Sequence, residues 1–359
     1  MKTIVIGAGI IGALTAFELA RRGAEVTVID AGPPAGAATG SSFGWINASF
    51  YENEDHFRLR AAAIEAHHAL AGTLSTTAVQ WQGCLCWEEQ GAAFDAQFSA
   101  LQALGYDVRC VRRAEFATLE PQIRPPERAL LFAGEGAADI AELARNALDA
   151  AMALGAQLVT GLRVTGLVSH NEKITGMRWS GGVIDADRVV LATGTATEQL
   201  LADVGVPLPM PDRPGLILRT GPMPPLLAHI LVSPGQELRQ LGDGRLLAPT
   251  AAAHQSDRTE NIVENPQVLA DLAAGRVSRL IGQHVTWESV SLAWRPVPGD
   301  GVPVIGSCGP AGLYVTTMHS GATLAPLVAR IAATEITGAA LGNSDAMLVA
   351  PYRPQRFTD

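Results

Sequence analysis

The sequence predicts an α/β protein, α+β overall, in which one domain is built on a parallel sheet and a second on an antiparallel sheet. Three observations predict this fold class. The chain begins with a strand, a glycine-rich turn, a helix and a second strand, which is the pattern of a parallel βαβ unit. Two apolar runs flank an Asp-Gly dipeptide at residues 243–244, which indicates an antiparallel hairpin. At 359 residues the chain also exceeds the usual length of a single domain.

The first thirty residues have the pattern of a Rossmann-like dinucleotide site. A β-branched run at residues 4–6 leads into a G-x-G-x-x-G motif, then a helix and a second apolar strand that ends at Asp30. Gly7 permits a tight turn, Gly9 lets the backbone approach a pyrophosphate, and Gly12 lets the helix pack close to the sheet. The Asp30 carboxylate can accept hydrogen bonds from both ribose hydroxyls of an adenosine. It also disfavours a 2′-phosphate, which argues against NADP.

Two other interpretations of this segment are weaker. A glycine-rich turn without a ligand would not require the helix, the second strand and the terminal acid that follow it here. A signal peptide would need a longer charged segment than Lys2, and its apolar region would not contain three glycines at motif spacing. No other stretch has the pattern of a membrane-spanning helix.

Composition excludes several classes of protein. With 48% hydrophobic and 17% charged residues, the chain can bury a large core. A net charge of −9 argues against nucleic acid or an anionic membrane surface as the main partner. The four cysteines are too few for a disulfide framework, and neither they nor the eight histidines have metal-ligand spacing. We therefore expect buried free thiols, no metal site and a cytoplasmic protein.

The segment after Asp30 is small, hydroxylated and rich in glycine, so residues 31–50 are predicted as a loop that wraps the dinucleotide. Ser41 and Ser42 are its candidate donors. Helices are predicted over residues 54–75, 94–104, 114–119, 139–154 and 264–282. Strands are predicted over residues 79–88, 157–159, 163–169, 174–179, 183–184 and 186–194. The proline-rich residues 206–225 are predicted as a crossing between the domains.

The C-terminal region has a second turn suited to a ligand. Arg295 lies in a rigid Pro/Gly-rich stretch over residues 294–306. A strand at residues 313–317 then enters a small-residue turn, and a helix begins near Gly321 and continues to about residue 337. Pro326 is placed in the first turn of that helix, where a missing N–H is tolerated. The helix N-terminus would face a ligand that carries or develops negative charge.

Several motifs together resemble one known family. They are the N-terminal glycine motif, the strand that ends in Ala192-Thr193-Gly194, the pair Arg295-Pro296 with Asp300-Gly301-x-Pro303-x-Ile305-Gly306, the triplet His319-Ser320-Gly321, and the tail over residues 351–357. This combination resembles the FAD-dependent D-amino-acid oxidase, glycine oxidase and sarcosine oxidase family, with its dehydrogenase relatives. Residues 206–290 match the family only weakly.

The resemblance implies an FAD-binding domain assembled from residues 1–50, 137–205 and 291–359. It implies a substrate-binding domain from residues 51–136 and 206–290, with its antiparallel sheet over the flavin ring. The implied cofactor-binding residues are Gly7, Gly9, Ile10, Ile11, Gly12, Asp30, Ser41, Ser42, Val164, Thr193, Gly194, Gly321, Ala322, Thr323 and Leu324.

The resemblance also implies the catalytic residues. Arg295 corresponds to an arginine that binds the substrate carboxylate in several members, and the alternative is a structural salt bridge or a surface arginine whose stem packs on apolar groups. His319 either contacts substrate or packs at the helix start. Trp45 and Asn47 are candidates to line the pocket. No cysteine corresponds to the one that tethers flavin in the sarcosine oxidase branch, so FAD is expected to be non-covalent.

The expected reaction is oxidation of a small amino acid (a D-amino acid, glycine or an N-alkyl amino acid) to its imine, by hydride transfer to flavin N5. No lysine matches the one that activates oxygen in the sarcosine oxidase branch, so the electron acceptor is left open as oxygen or another oxidant. An amine or hydroxy-acid substrate and a non-catalytic FAD-binding protein stay as alternatives. The exact substrate, its stereochemistry and the oligomeric state, with a homo-oligomer as one option, are also left open.

Overall fold

The computed structural model describes residues 1–252, 262 and 264–357. Residues 253–261, 263, 358 and 359, which fall in the predicted domain ranges, lie outside the described residues. The helices are α1 Ile10–Arg21, α2 Glu54–Ala71, α3 Gly91–Ala103, α4 Arg113–Leu119, α5 Ile140–Ala153, α6 Thr197–Ala202, α7 Pro266–Ile281, α8 Gly321–Ile336 and α9 Asn343–Val349. The strands are β1 Lys2–Ile6, β2 Glu25–Asp30, β3 Trp45–Ile46, β4 Val79–Gln80, β5 Cys84–Cys86, β6 Arg109–Arg112, β7 Arg128–Phe132, β8 Gly136–Ala138, β9 Gln157–Thr160, β10 Val164–His170, β11 Lys173–Trp179, β12 Gly182–Asp185, β13 Arg188–Leu191, β14 Pro214–Pro222, β15 Ile230–Ser233, β16 Gln236–Gln240, β17 Arg245–Pro249, β18 Trp287–Trp294, β19 Val304–Ser307 and β20 Leu313–Thr317.

A six-stranded sheet has the order β19-β20-β13-β1-β2-β9. All of its neighbouring strands are parallel except β19, which runs antiparallel to β20. Strands from widely separated parts of the chain therefore end at one edge of this sheet. α1 follows β1 at that edge, and α8 follows β20. Ligands of open α/β sheets bind at this carboxyl edge.

An eight-stranded sheet has the order β18-β14-β17-β16-β15-β5-β7-β6. Its strands pair antiparallel except β15 with β5, which are parallel. Successive residues of a strand point to opposite faces. Accordingly Leu231 and Leu238 belong to the hydrophobic cluster that includes buried residues of α7. Ile230 and Val232 belong instead to the large cluster shared with α1 and α8.

The predicted fold class is confirmed, and the hairpin around residues 243–244 is formed by β16 and β17. β13, α5 and β9 to β12 lie within a few residues of their predicted positions. No helix among the described residues combines the length and apolar character needed to cross a membrane.

Some predicted elements were wrong. β3 lies inside the predicted loop 31–50, because its two residues pair with β8, a partner distant in sequence. β14 lies within the predicted crossing 206–225 and occupies nine of its residues. Its prolines fall at its first and last residues, so the strand interior keeps its N–H donors. The predicted strand 79–88 is divided between β4 and β5, which belong to different sheets, and Gly83 between them has φ +73°.

The expected position of Pro326 was also wrong. It is the sixth residue of α8, inside the helix. Because proline has no N–H, the Ala322 carbonyl four residues earlier lacks its helical donor. His67 of α2 replaces that donor, with Nε2 2.9 Å from the Ala322 oxygen. His67 therefore carries its proton on Nε2, and burial lowers its pKa to about 4.

His67→Leu should lower the free energy of unfolding by about 1–3 kcal/mol, because it leaves a buried carbonyl without a donor. His67→Gln keeps an amide donor at the end of the side chain and should lose less. His68→Leu is the matched control, since His68 is exposed and stacks on Trp81. Urea unfolding curves measure all three variants. Equal losses in His67→Leu and His67→Gln would assign the effect to packing instead.

Candidate active site

A cavity of about 550 Å³ lies between the carboxyl edge of the six-stranded sheet and one face of the eight-stranded sheet. Its volume is in the range of small-molecule and cofactor sites. Most of the sequence-predicted residues line it, namely Gly7, Gly9, Ile10, Ile11, Asp30, Ser41, Ser42, Trp45, Asn47, Val164, Thr193, Gly194, Arg295, His319, Gly321, Ala322 and Thr323. Gly12 and Leu324 are buried and are not among the lining residues.

The glycine turn is held by close backbone packing. Gly7 has φ +107°, and the Ala192 carbonyl occupies the space that a Cβ on Gly7 would need. The Gly7 carbonyl in turn occupies the space of a Cβ on Gly12. Gly12 therefore serves packing, as predicted. Thr39, which the sequence did not single out, accepts a hydrogen bond from Ile10 N at 3.1 Å through Oγ1.

Asp30 joins the turn to the end of β2. Its Oδ2 accepts a hydrogen bond from Ala8 N at 2.7 Å, and its Oδ1 accepts one from Gly32 N at 2.8 Å. Each carboxylate oxygen can accept a further bond. Asp30 thus orders the loop and, because it lines the cavity, can still receive hydroxyl donors.

The N-terminus of α8 forms another wall. Ser320, its N-cap, has the left-handed conformation φ 60°, ψ 24°, and its side chain does not cap the helix. The Ser320 carbonyl accepts hydrogen bonds from Thr323 N and Leu324 N, both at 3.0 Å. The earlier amides of Gly321 and Ala322 have no acceptor within the helix. Both residues line the cavity, so this wall favours negative charge.

Arg60 of α2 is a cavity-lining residue that sequence reasoning missed. It is only 3% exposed. Its Nε donates to the Asn47 carbonyl at 3.0 Å, its Nη2 to Asn47 Oδ1 at 2.6 Å, and its Nη1 to Ser320 Oγ at 2.5 Å. Burial lowers its pKa to about 10, so it stays charged at neutral pH. One sequence signal could have identified Arg60: it lies four residues before Ile64, and this helical spacing puts it on the apolar face of α2.

Glu135, also missed, organises the segment that holds Arg60. Its carboxylate is fully buried, and burial raises its pKa. It accepts hydrogen bonds from Trp45 Nε1 (3.0 Å), Ala48 N (3.3 Å), Ser49 N (3.1 Å) and the Tyr106 hydroxyl (2.8 Å). These bonds fix the backbone that follows Asn47 and the Trp45 side chain that precedes it, and Asn47 carries two of the acceptors for Arg60.

Charged side chains from the eight-stranded sheet complete the cavity. Arg295 directly follows β18, and its side chain lies over Gly215, where a Cβ would come within 3.4 Å of it. Glu237 of β16, which the sequence did not indicate, lines the same cavity. His319 lines it as well and also lies at the helix start, with Nδ1 3.4 Å from Ser320 Oγ. The eight-stranded sheet thus contributes both a cation and an anion to the lining of the cavity.

None of the four cysteines is among the residues that line the cavity. Cys84, Cys86 and Cys308 are buried, and burial raises the pKa of each thiol. Within the described ranges, no group of three His, Cys, Asp or Glu side chains could hold a metal ion.

The chain is similar to known proteins in both sequence and fold. A family model described as FAD dependent oxidoreductase matches residues 2–335. The chain is 25% identical to glycine oxidase of Pseudomonas putida over 99% of this chain and 98% of that one. It is 25% identical to D-amino acid dehydrogenase of Paramagnetospirillum magneticum over 94% and 95% of the two chains. The crystal structure of glycine oxidase from Geobacillus kaustophilus has the same fold, with a TM-score of 0.86, 24% identity and coverage of 99% and 98%.

Asp30→Ala should weaken FAD binding by about 1.5–3 kcal/mol, the size expected for hydrogen bonds to a charged group. The fold should persist, because the carboxylate lies at a strand tip rather than in the core. Titration of the apoprotein with FAD measures the affinity, and circular dichroism checks folding. Asp187→Ala is a matched control, since its carboxylate also accepts a backbone hydrogen bond, from Lys2 N, but does not line the cavity. Unchanged affinity in folded Asp30→Ala protein would refute the role of this carboxylate.

Proposed function

The chain belongs to the family of FAD-dependent oxidoreductases, and from that premise we propose that it binds FAD non-covalently in this cavity and oxidises a small amino acid to its imine. The observation that carries the proposal is that one cavity is lined by the glycine turn, Asp30, the N-terminus of α8 and Arg295. In the same proposal, the six-stranded sheet is the core of the FAD-binding domain and the eight-stranded sheet that of the substrate-binding domain.

The residues present fit this cofactor. Close packing at Gly7 and Gly12 fixes the turn, and Gly9, which lines the cavity without a side chain, lets backbone amides approach a pyrophosphate there. Asp30 keeps acceptor capacity for ribose hydroxyls. The amides of Gly321 and Ala322, together with the buried Arg60, favour an electron-rich ring system. When bound, FAD would supply the acceptor for the hydride that leaves the substrate α carbon.

The chain itself would bind and orient the substrate. The Arg295 guanidinium can hold a carboxylate through two parallel hydrogen bonds, which fixes the direction of the α C–H bond. Glu237 offers an acceptor of opposite charge for the amino group. No residue has to act as a general base when the amine binds unprotonated. The imine that leaves the site then hydrolyses in water to a keto acid or aldehyde.

The test is anaerobic bleaching of bound flavin by a panel of D-amino acids, L-amino acids and N-methyl amino acids. We expect at least one class to bleach it. The matching amines, which lack the carboxylate, and the matching hydroxy acids serve as the comparison. A flavin that none of the amino acids bleaches would refute the proposed reaction, and bleaching by the amines alone would change the substrate class.

Purified protein should show flavin absorption, and acid precipitation should release the flavin into the supernatant. The physical reason is that no cysteine lines the cavity in the described part of the chain. Absorption spectra of pellet and supernatant measure the release. Colourless protein that also fails to take up added FAD would contradict the cofactor proposal, and flavin retained in the acid pellet would contradict non-covalent binding.

Arg295→Leu should keep FAD but lose ~10²-fold or more in kcat/KM for an amino acid, about 2.7 kcal/mol of transition-state binding. Arg295→Lys should recover only part of the loss, because an ammonium cannot form two parallel hydrogen bonds to a carboxylate. Steady-state kinetics measure both variants. Arg330→Leu is the control, since Arg330 pairs with Asp345 and does not line the cavity.

The decisive comparison for Arg295 uses the matching amine without a carboxylate. The substitution should slow the amino acid far more than the amine. Equal slowing of both substrates would make Arg295 a structural residue and would remove the main support for an amino-acid substrate.

A further inference from the structure

Arg60 is a buried cation whose hydrogen bonds do not reach a carboxylate, although Glu135 and Glu52 stabilise its charge electrostatically. Its three hydrogen bonds go to neutral acceptors on Asn47 and Ser320. Among the residues that the structure describes, no carboxylate lies within ion-pair distance of its guanidinium. A buried charge normally has an ionic partner, because neutral groups replace only part of the hydration that it loses. Arg60 lines the cavity, so the missing negative charge can come from a ligand.

Glu135, the buried acid that interacts most strongly with Arg60, does not form an ion pair with it. Glu135 interacts with Arg60 electrostatically, but its carboxylate forms its hydrogen bonds with other groups. Burial also raises the pKa of Glu135, and the hydrogen bonds that its carboxylate accepts oppose that shift. The cation is therefore available to a group in the cavity.

The groups next to Arg60 also carry partial positive charge. Its Nη1 donates to Ser320 Oγ, and the Ser320 side chain does not cap α8. The amides of Gly321 and Ala322 then add the partial positive charge of the helix N-terminus. A buried guanidinium and the uncapped helix N-terminus that it contacts thus favour an anion at one place on the cavity wall.

We propose that Arg60 is the counter-cation of the reduced cofactor. The inference rests on the proposed function in that FAD occupies this cavity. Oxidation of the substrate breaks its α C–H bond, and the hydride passes to the flavin, while the amine loses one N–H proton to solvent. The neutral flavin thereby gains two electrons and one proton, so its ring acquires a single negative charge. Arg60 compensates that charge where it forms.

The consequence is thermodynamic. A cation that gains a partner only after reduction stabilises the reduced state relative to the oxidised state. It therefore raises the midpoint potential of the bound flavin, which makes reduction of the flavin by the substrate more favourable. The same charge should favour addition of sulfite to the oxidised flavin, since the adduct also places negative charge on the ring.

The test measures the midpoint potential and the sulfite Kd of FAD-loaded protein without any substrate. Arg60→Gln removes the charge but keeps amide donors for Asn47 and Ser320. It should lower the equilibrium constant for two-electron reduction at least tenfold, or about 30 mV, and should raise the sulfite Kd by a similar factor. Arg60→Lys keeps the charge and should lie between Arg60→Gln and the unmodified chain.

Two controls separate charge from structure. Arg58→Gln changes an exposed arginine on the same helix, paired with Glu54 and Asp55, and should leave the potential unchanged. Ser320→Gly removes one hydrogen-bond partner of Arg60, and glycine is compatible with the positive φ of this position. It should change the equilibrium constant for two-electron reduction by less than threefold.

The outcomes decide the proposal. A potential of Arg60→Gln equal to that of the unmodified chain overturns it. So does a fall in Ser320→Gly as large as that in Arg60→Gln, since the geometry rather than the charge would then matter. Loss of FAD by both Arg60 variants would assign the residue to cofactor retention and also overturns it. If the chain binds FAD but oxidises no amino acid, the proposed reaction is refuted. The role of Arg60 can still be tested, because the midpoint potential and the sulfite Kd are measured without substrate.

Discussion

The site depends on the packing of three backbone segments at Gly7. The Ala192 carbonyl, after β13, occupies one face of this residue, and Gly12 of α1 lies against its carbonyl. β1 is hydrogen-bonded to β13 on one side and to β2 on the other, so the turn is fixed from both directions. A side chain at Gly7 or Gly12 would separate the helix from the sheet. The carboxyl edge of the sheet, where the cavity lies, exists in this form because these positions have no Cβ.

A second set of contacts extends from this edge into the rest of the protein. Glu135 holds the backbone around Asn47, Asn47 holds Arg60, and Arg60 holds Ser320 at the start of α8. His67 bonds to the next turn of the same helix. α2 is therefore more than packing for the sheet, because it connects the antiparallel part of the molecule to the cavity wall. Buried polar networks of this kind specify one arrangement when every member is bonded.

The sequence predicted those parts of the site that are encoded locally. The glycine turn, Asp30 and the start of α8 each lie within a short segment whose order of residues reveals the geometry. Arg60, Glu135 and Thr39 were missed, because each acquires its role only when distant segments meet. The same reason explains β3 and β18, whose pairing is with strands far away in sequence. Pro326 was predicted in the first turn of α8 but lies further inside the helix. The sequence did not reveal this, because the donor that compensates for the proline, His67, is on another helix.

The bond between His67 and the Ala322 carbonyl also limits which substitutions the chain can accept in succession. As long as Pro326 is present, loss of the His67 donor leaves that carbonyl unsatisfied. Replacing the proline first would supply the N–H that the helix lacks, and the histidine would then be free to change. Replacement of Pro326 before His67 therefore costs little stability, whereas replacement of His67 before Pro326 passes through a destabilised intermediate. The residue at position 67 is therefore constrained only while position 326, which lies 259 residues later in the chain, is a proline.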